Sequence, residues 1–191
     1  MRRLIYSMGV SLDGYIAGPG GDIGWSAPDP DLHRFHNDQA RETGAQLCGR
    51  RLYETMRAWD TVPDDPAAPE EMLEFARIWQ ATPKVVFSRT LDTVEGNARL
   101  VRDGAADEVA RLKAEDGGDL AVGGAGLAAT LVERDLVDEY RLFVSPVILG
   151  AGTRFFPSLD RPIDLELAET RTFGSRVVYL RYRRADAAGP P

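Results

Sequence analysis

Apolar residues fall in short bursts along this chain, and the spacing inside each burst changes from stretch to stretch. Residues 3–11, RLIYSMGVS, are a compact run of apolar and β-forming side chains, which predicts a strand. Residues 28–45, PDPDLHRFHNDQARETGA, instead set Leu32, Phe35 and Gln39 toward one face behind an acidic start, the mark of a helix. QLCG then reads as a short buried strand ending at Gly49, with a helical turn in RRLYETM straight after it. Residues 60–69, DTVPDDPAAP, are too rigid and polar for a core and predict a surface loop.

Helical recurrence returns over residues 70–81, where Met72 or Leu73, Ala76 and Trp79 to Gln80 repeat at the right interval. KVVFS and ARLV predict strands, AADEVARLKAE a helix with Val109 and Leu112 on one side, DLAVGG a buried strand, and AGLAATLVERD another helix. Strand and helix alternate through short turns, so a mostly parallel sheet covered on both faces is expected. The end of the chain changes character. Residues 138–150, 163–173 and 176–184 are strand-rich with no helical stretch between them, and in the last Val177, Tyr179 and Arg181 alternate with Val178, Leu180 and Tyr182. Hairpin-type connections would add these as antiparallel strands at one edge. The expected fold is a single α/β domain over residues 1–184, with a frayed tail over 185–191.

Composition supports one domain: 191 residues, 43% hydrophobic and 28% charged, fill one sizeable core, whereas two domains would each be cramped. A net charge of −7 and a pI near 4.9 supply no global field for nucleic acid or an anionic membrane. No apolar run approaches the ~18 residues of a membrane span. Cys48 is the single cysteine and no signal segment opens the chain, so a cytoplasmic protein is expected. His33 and His36, three apart on the first helix, read as rim residues; with one distant cysteine they make no metal site.

Three strand ends carry similar chemistry. In CGRRLYE a strand reaches Gly49, and Arg50, Arg51 and Leu52 begin a helix, where free N–H groups and guanidinium forks favour a phosphate. In VVFSRT, Ser88 and Arg89 leave a strand with a hydroxyl and a cation. In AVGGAGLAA, Gly123, Gly124, Ala125, Gly126 and Leu127 let the backbone close on a ligand before the next helix. Each stretch also has a plain reading as a solvated face, a turn or tight packing. Ligands of open α/β sheets bind outside the carboxyl ends of parallel strands, where all three would gather, and phosphate sites on one rim describe a dinucleotide. The extra arginines favour NADP(H) over NAD(H). Gly124, Gly126 and Ala129 also fit the G-x-G-x-x-A fingerprint of a Rossmann enzyme, but no acid ends a following parallel strand.

Taken in order, SLDGYIAG, the Trp and DLHRF, GRRLYE, KVVFSRTL and AVGGAGLAATLVERDLVDEYRLFVSPVILG resemble the dihydrofolate reductase superfamily, including the reductase domain of the riboflavin pathway. The resemblance runs from about Arg3 to Arg184 and implies a three-layer α/β/α fold, a mixed, mostly parallel sheet with antiparallel C-terminal strands, and NADPH across the strand ends. It places Ile16 and Ala17 beside the nicotinamide and makes the segment from Gly18 to Trp25 the mobile active-site loop. Glycines there supply movement, while apolar members exclude water. Gly49 to Leu52 match the first cofactor site, Ser88 and Arg89 the adenine and 2′-phosphate side, and Gly123 to Leu127 the pyrophosphate turn. The family's paired glycines suggest a cis bond between Gly123 and Gly124.

The resemblance also makes Asp31 and Trp25 the catalytic residues, with Asp31 pairing the amino-pyrimidine edge of a pterin. Asp29 or Asp31 equally serves as a helix cap. Riboflavin-type reductases carry a glutamate where this chain has Gly123 and a DDP-x-LT element of which Asp64, Asp65 and Pro66 echo half. The leading expectation is therefore an NADPH-dependent reductase of a pterin-like heterocycle, with the 5-amino-6-(5-phosphoribosylamino)uracil reductase of riboflavin biosynthesis, a nucleotide-binding protein without turnover and a packing-only interaction protein as alternatives. YRLFVSPVIL and the aromatic last strand leave an apolar edge that a homodimer would cover.

Overall fold

A computed structural model describes residues 1–62, 65 and 67–185. Asp64 and Pro66 of the partial DDP-x-LT echo, and the tail from 186 onward, lie outside the described residues. The chain opens with β1 (Leu4–Ser11) and the short β2 (Tyr15–Ala17), then makes two 3-10 turns before α1 (Pro30–Arg41). β3 (Thr43–Gly49), α2 (Arg50–Met56), α3 (Glu70–Ala81), β4 (Lys84–Phe87), β5 (Ala98–Val101), α4 (Ala105–Ala114), β6 (Asp119–Gly123) and α5 (Ala125–Glu133) follow in the expected alternation. β7 (Glu139–Ser145), β8 (Thr153–Arg154), β9 (Leu165–Thr172) and β10 (Val178–Arg184) come last.

Eight strands form one sheet in the order β5-β4-β3-β6-β1-β7-β10-β9, and β2 and β8 make a separate pair. From β5 to β7 every pairing is parallel. β10 is antiparallel to both its neighbours. The first of the three C-terminal strand stretches therefore joins the parallel set, because α5 carries the chain back along the sheet before β7 begins. Two boundaries also move. α1 stops at Arg41 and Thr43 to Ala45 extend β3, where Gly44 lies so close to Gly118 that a Cβ would meet its carbonyl oxygen. β7 stops at Ser145 because Pro146 has no N–H for the ladder.

Strand alternation splits the core in two. One face of the sheet sends Leu4, Tyr6, Leu47, Val85, Leu120 and Val122 against Val109 and Leu112 of α4 and Leu131 and Val132 of α5. The other face meets α1, where Leu32 and Phe35 pack on Phe143, Phe173, Val177 and Tyr179. α3 lies alongside α1 on that side, and its Trp79 packs with Cys48, Tyr53 and Val86. No helix among the described residues is long and apolar enough to cross a membrane.

Candidate active site

The carboxyl ends of β4, β3 and β6 sit side by side: Gly49 pairs with Phe87, and Cys48 with Gly123. Gly49 to Leu52, Ser88 with Arg89, and Gly123 to Leu127 thus emerge at neighbouring points of one rim. At its centre the backbone turns from strand into α5 through Gly124, whose φ of 84° is left-handed territory that suits glycine. The Gly123-Gly124 peptide is trans, not cis, among the described residues; Gly124's positive φ makes the turn instead. No side chain caps α5, so the N–H groups of its first turn stay free to face an anion. A Cβ on Gly126 would meet nothing within 4 Å, which leaves the approach to those groups open.

The other two segments of the rim are partly committed. Ser88 Oγ accepts hydrogen bonds from the N–H groups of Thr90 and Leu91, both at 3.1 Å. Arg89 Nε donates to Asp103 at 2.7 Å in an exposed pair, and Arg50 lies 3.7 Å from Glu54. Arg51 is exposed. A phosphate at the terminal amino groups of Arg89 would sit beside the Asp103 carboxylate, which engages Nε alone.

Beneath the rim lies a cavity of about 370 Å³ between the α1 and α3 side chains and the sheet, reaching the rim at Leu52 and Gly123. Its walls are aromatic and aliphatic: Trp59, Phe75, Ile78 and Trp79 on one side, Phe143, Met8 and Val122 on the other. Ser7, Gln39, Thr43, Gln46, Thr82 and Arg141 are its polar members, together with His33 and His36. His33 stands edge-on to Trp59 and Phe75, with ring centroids 5.9 and 6.0 Å away, and its Nδ1 is buried without a partner. His36 lies 4.2 Å from the Phe143 ring, and burial, with His33 as a lesser cause, brings it down to about 4, so it is neutral at physiological pH. Arg141 is buried and donates from Nε to the fully buried Glu139 at 2.7 Å.

Sequence reasoning placed His33 and His36 on a rim and assigned no role to Gln39, Gln46, Arg141 or the aromatics of α3. A signal was present: His33, His36 and Ala40 recur at intervals of three and four on α1, beside the face marked by Leu32 and Phe35. Arg141 carried none, since a cation in a β-strand reads equally as solvent-facing.

Asp31 and Trp25 do not line this cavity. The Asp31 side chain is about half exposed, 3.6 Å from Arg171 and 4.0 Å from Arg34. Asp29 caps α1, accepting from the N–H of Leu32 at 2.8 Å and from that of Ser175 at 2.8 Å, and these bonds hold its carboxyl below the usual range. Trp25 donates from Nε1 to the Asp22 carbonyl at 3.1 Å. Ile16 is buried in the main core, and Ala17 pairs with Thr153 next to Gly152, where any Cβ would collide with the Ala17 carbonyl.

The sequence profile of the RibD C-terminal domain family matches residues 2–179. The chain is 34% identical over 182 residues to the uncharacterized protein YyaP of Bacillus subtilis (strain 168), covering 95% of this chain and 94% of that one. It is 29% identical over 187 residues to the uncharacterized protein YwjB of the same organism, covering 96% and 99%. Among solved structures, a putative riboflavin biosynthesis protein from Shewanella sp. PV-4 superposes with a TM-score of 0.76 at 23% identity, over 97% of this chain and 99% of that one. Dihydrofolate reductase from Enterococcus faecalis complexed with NADP(H) gives a TM-score of 0.67 at 14% identity, over 96% and 97%. A diaminohydroxyphosphoribosylaminopyrimidine deaminase/5-amino-6-(5-phosphoribosylamino)uracil reductase from Thermotoga maritima gives 0.67 at 15%, over 96% of this chain and 57% of that one.

Proposed function

The chain belongs to the RibD C-terminal domain family, with a dihydrofolate reductase-like fold, and from that premise we propose that it is an NADPH-dependent reductase of a flat pyrimidine-type heterocycle. The observation that carries the reading is the continuity of rim and cavity: Leu52 and Gly123 belong both to the strand ends suited to a dinucleotide and to the lining of the cavity below. A cofactor held along the rim would meet a heterocycle held in the cavity at this junction.

The residues present fit such a cofactor. The free N–H groups at the start of α5, approached across Gly124 and Gly126, suit a pyrophosphate, and Arg50 and Arg51 stand at the neighbouring strand end. Ser88 and Arg89 would take the 2′-phosphate side, with Asp103 as the anion that competes for Arg89. When bound, NADPH supplies the hydride. This chain supplies walls of Trp59, Phe75, Trp79 and Phe143 that exclude water, and polar groups on α1 and the sheet that orient the acceptor. His36, neutral at working pH, packs without charging the cavity, and His33 Nδ1 is an unspent hydrogen-bonding atom for the substrate.

A pyrimidine of the riboflavin type is favoured over a pterin because the cavity has no carboxylate among its described lining residues, and Asp31 is engaged with arginines outside it. Loss of nicotinamide absorbance, followed across a panel of pyrimidine diones, their ribosylamino derivatives and dihydrofolate, tests the reading. Oxidation with a pyrimidine and none with dihydrofolate is expected. NADPH binding without turnover on any compound would instead support a nucleotide-binding protein, and absence of NADPH binding would remove both.

A further inference from the structure

We propose that Arg141 reads an electron-rich edge of the substrate, so that the cavity takes a planar heterocycle that turns carbonyl or enolate oxygens to Arg141 and rejects one that has only amino groups to turn there. This deepens the reductase reading and rests on it only for the word substrate; the binding preference stands by itself.

Arg141 projects from β7 at 7% exposure and is the only lysine or arginine among the described lining residues, which include no aspartate or glutamate. Its Nε is spent on Glu139. That carboxylate is shared, since Arg3 lies 3.4 Å and Arg183 3.3 Å from its other oxygen. With Asp119, which holds Arg3 at 2.5 Å, two carboxylates thus serve three guanidinium groups. The two terminal amino groups of Arg141 have no protein partner among the described residues. Those groups are not fully buried, so they stand open to the cavity, where oxygen lone pairs can reach them without displacing a protein partner and an amino group can offer them nothing.

The neighbouring strand sharpens the imbalance. Arg181 lies directly across from Arg141 in the β7 and β10 pairing, its Nε is buried without a partner, and its Nη2 is 3.3 Å from Glu169. Like charges facing each other across a strand pair repel. An electron-rich group beside Arg141 relieves that repulsion, and an amidine-like edge adds to it. The walls decide the rest of the shape. Phe143, Trp59, Phe75 and Trp79 offer aromatic faces on which a planar ring can stack, and one guanidinium with no second lining cation is a poor seat for a phosphate dianion.

Calorimetric titration without cofactor tests this with two small planar probes, a barbiturate offering carbonyl and enolate oxygens and a diaminopyrimidine offering amino groups. The barbiturate should bind at least about tenfold more tightly. Arg141→Met should lower barbiturate affinity by about tenfold or more while leaving the diaminopyrimidine unchanged or improved. Arg141→Lys, which keeps the charge beside Glu139 and serves where the Met variant does not fold, should lose affinity for the barbiturate severalfold because a point charge replaces a planar fork. Equal or tighter binding of the diaminopyrimidine, binding of neither probe, or an unchanged preference in a folded variant overturns the proposal. A preserved preference in a protein that oxidises no NADPH would sink the reductase reading alone, and turnover without the preference would sink this inference alone.

Discussion

The carboxylate of Asp13 accepts a hydrogen bond from the backbone N–H of Gly150 at 2.7 Å, and a second from Leu149 at 3.1 Å, tying the first loop of the chain to the segment after β7. Ser11 Oγ donates to Asp13 at 2.7 Å while accepting from the N–H of Tyr15 at 2.9 Å, so the SLDGY turn and the PVILG turn are fixed as one unit. The Ser11 bond above all, with the backbone donors, brings the Asp13 carboxyl down to about 2. Its folded value therefore lies below the ordinary aspartate value of about 3.9, and the stability it lends is present above that pH and lost as pH falls through about 2. Asp13→Asn should melt at a lower temperature than the parent at neutral pH, with the gap narrowing as pH is lowered toward the acid range. A gap that stays constant across that range would count against the charged acceptor.

Gly123 and Leu52 share space at the junction of rim and cavity. A Cβ at position 123 would lie 2.5 Å from Leu52 Cδ2, the end of a side chain that must turn away to admit it. Gly123→Ala should turn Leu52 off its place at the junction of rim and cavity at a cost of about 1 kcal/mol or less. Adding Leu52→Ala should return part of that loss. Denaturant unfolding of the two single variants and the double measures the coupling; strictly additive losses would remove the contact from the account.

Much of this architecture was legible because it rests on local pattern. The helical spacing of residues 70–81 and the run from 119 to 124 each match an observed element within a residue at either end. The rule that ligands of open α/β sheets bind at the carboxyl ends of parallel strands gathered Gly49, Ser88 and Gly123 on one rim, and the resemblance agreed; the three strand ends are adjacent. The direction of β7 was legible in the helix before it, α5, but its strand-rich sequence grouped it with the two stretches that follow. The cavity was least legible of all. His33, Trp59, Phe75 and Arg141 come from four separate segments, and only the packing of α3 beside α1 converts surface-like residues into walls. Asp31, prominent in the motif, is drawn off by Arg171 of β9, a pairing that no spacing along the chain announces.

Arg89 and Asp103 form an exposed pair of the kind worth about 0 to 1 kcal/mol, so a phosphate can displace the carboxylate at little cost. If Arg89 serves the 2′-phosphate, Asp103→Asn should strengthen NADPH binding relative to NADH severalfold, and Arg89→Ala should abolish the preference. Titration of both cofactors against the three proteins measures this. Equal changes for NADPH and NADH would detach Arg89 from the 2′-phosphate.

His36 gives a pH signature of opposite origin to Asp13. Burial against Phe143, with His33 nearby, holds its folded value near 4 against about 6.5 for a free imidazole. The unfolded chain therefore binds the extra proton first, and stability falls as pH drops through the window from about 6.5 to about 4, with no contribution above it. At roughly 1.4 kcal/mol for each unit between the two values, the loss is bounded at about 3.5 kcal/mol. His36→Phe, which keeps a flat ring against Phe143 and cannot take up a proton, should flatten this part of the profile while other acid-sensitive groups such as Asp13 still act lower down. Unfolding midpoints compared between parent and variant from about pH 8 to about pH 5 isolate the difference. Parallel profiles for the two proteins would mean that the imidazole reaches water in the folded state and that the cavity wall at α1 is open.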